Sequence, residues 1–96
     1  MVVLMMMDVP VSREDAEALS AAVGPDPADG LIAHAMTKTP DGVRVVDIWE
    51  SQEDFQKFNE ERLMPATQQV MTERGISLDP PPQPTFEEAF DFVRGR

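Results

Sequence analysis

One hairpin signal constrains this chain more than any other feature. The segment Thr39-Pro40-Asp41-Gly42 joins two strand-like runs, LIAHAMTK at 31–38 and VRVVDIW at 43–49. Pro40 sets φ for the first turn position, Asp41 suits the second, and Gly42 can take positive φ. Both runs are largely apolar on both faces, so the hairpin needs cover on each side. They also carry the one His of the chain, His34, its one Trp, Trp49, and a mid-strand carboxylate, Asp47.

The flanking segments supply part of that cover. "VVLMMMD" is a short apolar run that ends at Asp8 and Pro10 and reads as an interior strand. "SREDAEALSAAVG" reads as a helix. Ser12 is its N-cap with Asp15 three residues on, Ala16, Leu19 and Val23 share a face, and Gly24 ends it. Ser51 caps a second helix, with Asp54 three residues on and Phe55 and Phe58 on its buried side. Pro65 must kink that helix or open a following one, and Arg74-Gly75 is a C-terminal stop. "DPPPQP" is a stiff extended connector, and "TFEEAFDFV" is expected to be the last strand.

The order is β-α-β-β-α-β, the split βαβ or ferredoxin-like α+β arrangement, with an antiparallel sheet and both helices on one face. At 96 residues the chain is expected to be a single domain, 1–96, with a modest core. Two helices cover one sheet face only. The economical cover for the other is a second copy of the same sheet, in a two-fold homodimer joined through sheet faces.

Composition excludes several functions. Eighteen Asp and Glu stand against eight Lys and Arg, for a net charge of −10. No basic patch is available to neutralise phosphate, which argues against nucleic acid and anionic membrane surfaces. The absence of cysteine rules out disulfides, thiolate catalysis and cysteine-bound metal. "MVVLMMM" is far short of the ~20 residues that cross a bilayer and lacks a basic leader region, so a cytoplasmic protein without membrane contact is expected.

The turn decides how His34, Asp47 and Trp49 relate. With a three-residue loop and Gly42 in a bulge, Thr39 pairs with Val43 and Ala33 with Trp49. Asp47 and Trp49 then share a face with Ala33 and Ala35, and His34 points to the other. Without the bulge the pairing slips by one residue, and His34 faces Asp47. The bulged register suits the turn residues better and is the expectation. It makes Trp49, Asp47, Ala33 and Ala35 the lining of any pocket, with Asp47 and His34 as candidate catalytic groups. A carboxylate between Val46 and Ile48 needs a partner, such as Arg44 or Arg62. A lone His without Cys or a second His makes no recognisable metal site.

The order of elements, the length and "VVDIWESQEDFQKF" resemble the dimeric α+β barrel superfamily, in its antibiotic-biosynthesis-monooxygenase-like branch. Trp49, Glu50, Ser51 and Phe55 carry the resemblance, with "GLIAH", "TPDG" and "ERLMPA" beside them. It implies a pocket between sheet and helices, lined by a Trp at the place of Trp49. Some members are cofactor-independent monooxygenases of polycyclic phenols. Others degrade haem through a His on the second helix, and "SQEDFQKFNEERL" has none, so no cofactor is expected. The chain also lacks Tyr, a residue type that orients phenols. Two readings follow: an oxygenase whose substrate supplies the carbanion once His34 or Asp47 has taken its proton, or a non-catalytic module that binds a small apolar or aromatic molecule.

Overall fold

The hairpin, the capped helices and the last strand assemble into one antiparallel sheet backed by helices. In the computed structural model, which describes residues 1–94, the elements are β1 (Val3–Val9), α1 (Arg13–Val23), β2 (Leu31–Thr39), β3 (Gly42–Trp49), α2 (Gln52–Phe58), a π-helical turn (Asn59–Leu63), α3 (Met64–Arg74) and β4 (Thr85–Glu88). The strand order is β2-β3-β1-β4, with antiparallel pairing throughout. This is the ferredoxin-like β-α-β-β-α-β order, in which α2, the π turn and α3 form the second helical limb.

Both expected caps are present. Ser12 accepts from the Asp15 amide and Ser51 from the Asp54 amide, each at 3.1 Å. Such caps satisfy helix-end donors that have no intrahelical partner. Gly75 ends α3 in the left-handed region at φ 64°, where a side chain would be strained. Pro65 stands in the first turn of α3, as the opening of a following helix requires. In a regular helix it would leave the Glu61 carbonyl without its donor and collide with it. The turn before it instead widens to i→i+5 spacing, and the Met64 amide donates to the Asn59 carbonyl.

The core lies between the helices and the inner sheet face. Val3, Met5, Trp49 and Phe55 form one cluster, and Val9, Ala16 and Val43 another. Trp49 is fully buried, edge-on to Phe55 with ring centroids 5.7 Å apart. Truncating an aromatic ring in such a site costs ~3–5 kcal/mol. Arg74 Nε donates to Asp15 Oδ1 at 2.6 Å and ties α3 to α1.

Two expectations are corrected. The first is the hairpin register. Thr39 pairs with Gly42, so the turn holds only Pro40 and Asp41, and His34 pairs with Asp47. Gly42 does not take positive φ. Its lack of a side chain serves close approach instead, since a Cβ there would stand 2.2 Å from the Val9 carbonyl oxygen. The bulge falls at the other end of the ladder, between Leu31 and Ala33. The second correction is β4, which stops at Glu88 although its pattern runs on to Val93. Glu88 pairs with Val3, the first residue of β1, and the Ala89 amide bonds the Val2 carbonyl. Past that point β1 offers no further partner, and Phe90 is left 98% exposed.

Candidate functional site

Period-two alternation sets the inner face of the sheet. From the corrected register, His34 and Met36 of β2, Val45 and Asp47 of β3, and Met5 and Met7 of β1 point toward the helices. The bulge at the start of β2 adds one residue, so Leu31 and His34, three apart, share this face. Ala33 and Ala35, expected beside Asp47, stand opposite Ile48 and Val46 on the outer face instead.

His34 and Asp47 are in direct contact. His34 Nδ1 lies 2.6 Å from Asp47 Oδ1. A carboxylate only accepts, so Nδ1 is the donor, and the neutral ring keeps the lone pair on Nε2. The other oxygen, Oδ2, accepts from Trp49 Nε1 at 3.1 Å. Asp47 is 5% exposed, a position that is costly for a carboxylate without partners; here both of its oxygens are bonded. The two arginines considered as its partners are engaged elsewhere. Arg44 grips Asp8 at 2.7 and 3.1 Å, which lowers the Asp8 pKa and raises that of Arg44. Arg62 serves the end of α1.

The hydrogen bond to Asp47 raises the His34 pKa above 6.5; partial burial opposes that rise, and the charge of Asp47 adds to it. The His34 side chain is 44% exposed. The result is an imidazole fixed on one side by a buried carboxylate, with its far nitrogen unbonded among the described residues. That is the arrangement of a positioned general base.

The pair borders a cavity of about 290 Å³ between the sheet and the helices. Met5, Met7 and Met36 contribute thioethers to it, Phe55 and Phe58 aromatic rings, and Leu19 and Leu63 aliphatic cover. Trp49 is not in its wall. It lies beneath, holding Asp47 and packing against Phe58 in a tilted pair with ring centroids 5.4 Å apart. One side of the cavity is the segment 24–28 that follows α1. Arg62 fastens this segment: Nη2 donates to the Val23 carbonyl at 3.1 Å and Nη1 to that of Pro27 at 3.4 Å, while the guanidinium sits 5.3 Å over the Phe58 ring. Sequence reasoning offered Arg62 only as a partner for Asp47. Its real partners are backbone carbonyls 35 and 39 residues away, a relation that no local pattern encodes. A neighbouring cavity of about 410 Å³ lies between α3 and the proline-rich connector and shares Met7, Val9, Leu19, Phe55 and Leu63 with the first. Among the described residues no group of three or more His, Asp and Glu could hold a metal ion, and no helix is long and apolar enough to cross a membrane.

No protein-family profile matches the sequence, and no curated protein matches it either. Solved structures do match the fold. Rv0793 from Mycobacterium tuberculosis aligns over 97% of this chain and 98% of its own, with a TM-score of 0.65 and 19% identity. This chain has the fold of the antibiotic-biosynthesis-monooxygenase-like proteins. One of these, from Deinococcus radiodurans, covers 100% of this chain and 99% of its own at a TM-score of 0.64 and 14% identity. SnoaB of Streptomyces nogalater, a cofactor-independent oxygenase, covers 98% and 96% at a TM-score of 0.56 and 14% identity. The likeness to this monooxygenase-like fold spans nearly the whole chain. At these identities it speaks for architecture, and the chemistry has to be argued from the site.

Proposed function

We propose that this chain is a cofactor-independent oxygenase of a small apolar or aromatic molecule, with His34 as general base and Asp47 as the residue that orients it. The observation that carries this reading is the 2.6 Å contact between His34 Nδ1 and Asp47 Oδ1 at the wall of an apolar cavity. Asp47 is the weaker candidate for the base, because both of its oxygens already accept hydrogen bonds. The substrate in this reading has an acidic C–H next to a hydroxylated or carbonyl-bearing ring. His34 Nε2 takes that proton, and the carbanion reduces dioxygen. Carbon and oxygen combine to a peroxide, which regains the proton as a hydroperoxide. Loss of water from the hydroperoxide then gives the carbonyl. Methionine and phenylalanine walls keep bulk water from the carbanion, while the exposed edge of His34 allows its proton to exchange with solvent.

In the same reading the protein is a homodimer joined through the outer sheet face. Leu4, Met6, Val46 and Ile48 leave that face apolar and only half-buried, and Ala33 and Ala35 add only small side chains to it.

The test is oxygen uptake with a hydroxylated anthrone as substrate, in parallel with binding followed by Trp49 fluorescence. The oxygenase reading expects uptake that falls by roughly 10²-fold or more in His34→Gln, with binding largely retained. Binding without uptake in the unaltered protein contradicts it and favours the non-catalytic ligand-binding module. The apolar lining, without a phenol or second titratable pair at its floor, is what supports that alternative.

A further inference from the structure

The inner face of the sheet places a thioether on the same strand face as the imidazole. Met36 follows His34 by two residues on β2, so both side chains leave the same face, and both border the 290 Å³ cavity. Met36 and Met7 each stand opposite Val45, one from either side. Met36 is also 38% exposed, so it lies at the mouth and not in the packed floor. A thioether is a soft two-electron reductant, and its oxidation yields a polar, chiral sulfoxide.

We propose that His34 and Met36 form a site at which an organic hydroperoxide is reduced, its oxygen passing to the Met36 sulfur. The apolar walls hold the organic group of R–O–OH. A lone pair on Met36 Sδ attacks the hydroxyl oxygen, and an S–O bond forms as the O–O bond breaks. The sulfur is oxidised by two electrons and the peroxide is reduced by two. The leaving RO⁻ takes a proton from the His34 imidazolium and departs as an alcohol. The imidazole then accepts the proton of the S–OH⁺ group, which leaves a neutral sulfoxide. The sum is thioether plus hydroperoxide to sulfoxide plus alcohol, with His34 returned to its starting state. Asp47 steadies the cationic ring through this exchange by its bond to Nδ1.

The site does not require the oxygenase reading, because the hydroperoxide can come from outside. If both hold, a hydroperoxide formed in the cavity meets Met36 before it leaves. The sulfoxide then puts a polar group at an apolar mouth and weakens further binding.

Exposure alone predicts a different order of oxidation. Met1 is 77% exposed and borders neither of the two cavities, and Met64 is 49% exposed in the neighbouring cavity, whose lining contains no imidazole. The experiment treats the full chain with cumene hydroperoxide and follows each methionine by peptide mass spectrometry, with hydrogen peroxide as the small, unselective comparison. Met36 is expected to oxidise faster than Met1 and Met64 by roughly tenfold or more, within what a positioned proton donor contributes. With hydrogen peroxide that advantage shrinks. In His34→Gln the rate at Met36 drops to the level of Met64. A second measurement needs no variant: excess cumyl alcohol, which fills the cavity but cannot oxidise, should protect Met36 and leave Met1 untouched. Oxidation in the order Met1, Met64, Met36 with cumene hydroperoxide overturns the proposal. So does a Met36 preference that survives His34→Gln or ignores cumyl alcohol.

Discussion

His34 Nδ1 meets Asp47 Oδ1 at 2.6 Å across the β2–β3 ladder, at positions that pair directly in the sheet. Residues paired in this way leave the same face, and their Cβ atoms stand about 5 Å apart. A short carboxylate and an imidazole fill that gap without reaching around a neighbour. The contact therefore follows from the backbone register. Trp49, two residues along the same face, takes the second carboxylate oxygen at 3.1 Å.

Replacing Asp47 should separate its two partners. Asp47→Ala leaves the buried Trp49 Nε1 without an acceptor, and a cost of about 1–3 kcal/mol is expected. Asp47→Asn keeps one acceptor oxygen and should cost less. Urea denaturation of both variants checks the order. Equal stability of Asp47→Ala and the unaltered protein would show that the indole bond contributes nothing.

The pH dependence has a definite sign. The bond to Asp47 raises the folded-state His34 pKa above the ordinary 6.5. Protonated His34 therefore stabilises the fold fully below 6.5, and that contribution is lost as pH rises through the raised value. The stability gap between the unaltered protein and His34→Gln should be larger at about pH 5.5 than at about pH 8.5. A gap that grows toward high pH contradicts the sign. Because the base form of His34 appears only as pH passes the same raised value, any turnover should climb on the alkaline side of 6.5.

Gly42 should not tolerate a side chain. A Cβ there meets the Val9 carbonyl oxygen at 2.2 Å and the Pro10 Cα at 2.9 Å, both of them backbone atoms that cannot move aside. Gly42→Ala is expected to cost about 1–3 kcal/mol, typical of overpacking. A thermal melt unchanged by the substitution would place the end of β1 farther from the turn than described.

Much of the architecture was legible before the structure. The caps at Ser12 and Ser51, the stop at Gly75 and the two apolar strand runs are local features, so local chemistry reveals them. The register was not, because Gly42 has two uses that read alike in sequence. A glycine after Pro-Asp can supply positive φ, or it can admit another segment at close range. The approach of Val9, 33 residues earlier in the chain, decides for the second use. That one choice moved His34 onto the Asp47 face and sent Ala33 and Ala35 away from it. The end of β4 was hidden for a related reason. Phe90 and Phe92 continue a strand pattern, but β1 starts at Val3 and leaves them nothing to pair with.

The proposed homodimer has a direct check. An obligate contact through the outer face should bury on the order of 1,000 Å² or more, and Val46→Glu would place a charge at its centre. Sedimentation should give a dimer for the unaltered chain and a monomer for Val46→Glu. A monomer in both would leave Leu4, Met6, Val46 and Ile48 without cover.

The central claim is that Asp47 orients and charges His34, and the chain is well suited to testing it because it has only one histidine. A nitrogen-15 NMR titration of that imidazole reads its pKa and its tautomer without assignment. The structure predicts a midpoint above 6.5, the Nδ1-protonated tautomer on the alkaline side, and a midpoint that falls toward 6.5 in Asp47→Asn. A midpoint at or below 6.5 that Asp47→Asn leaves in place, or an Nε2-protonated neutral ring, would contradict the account.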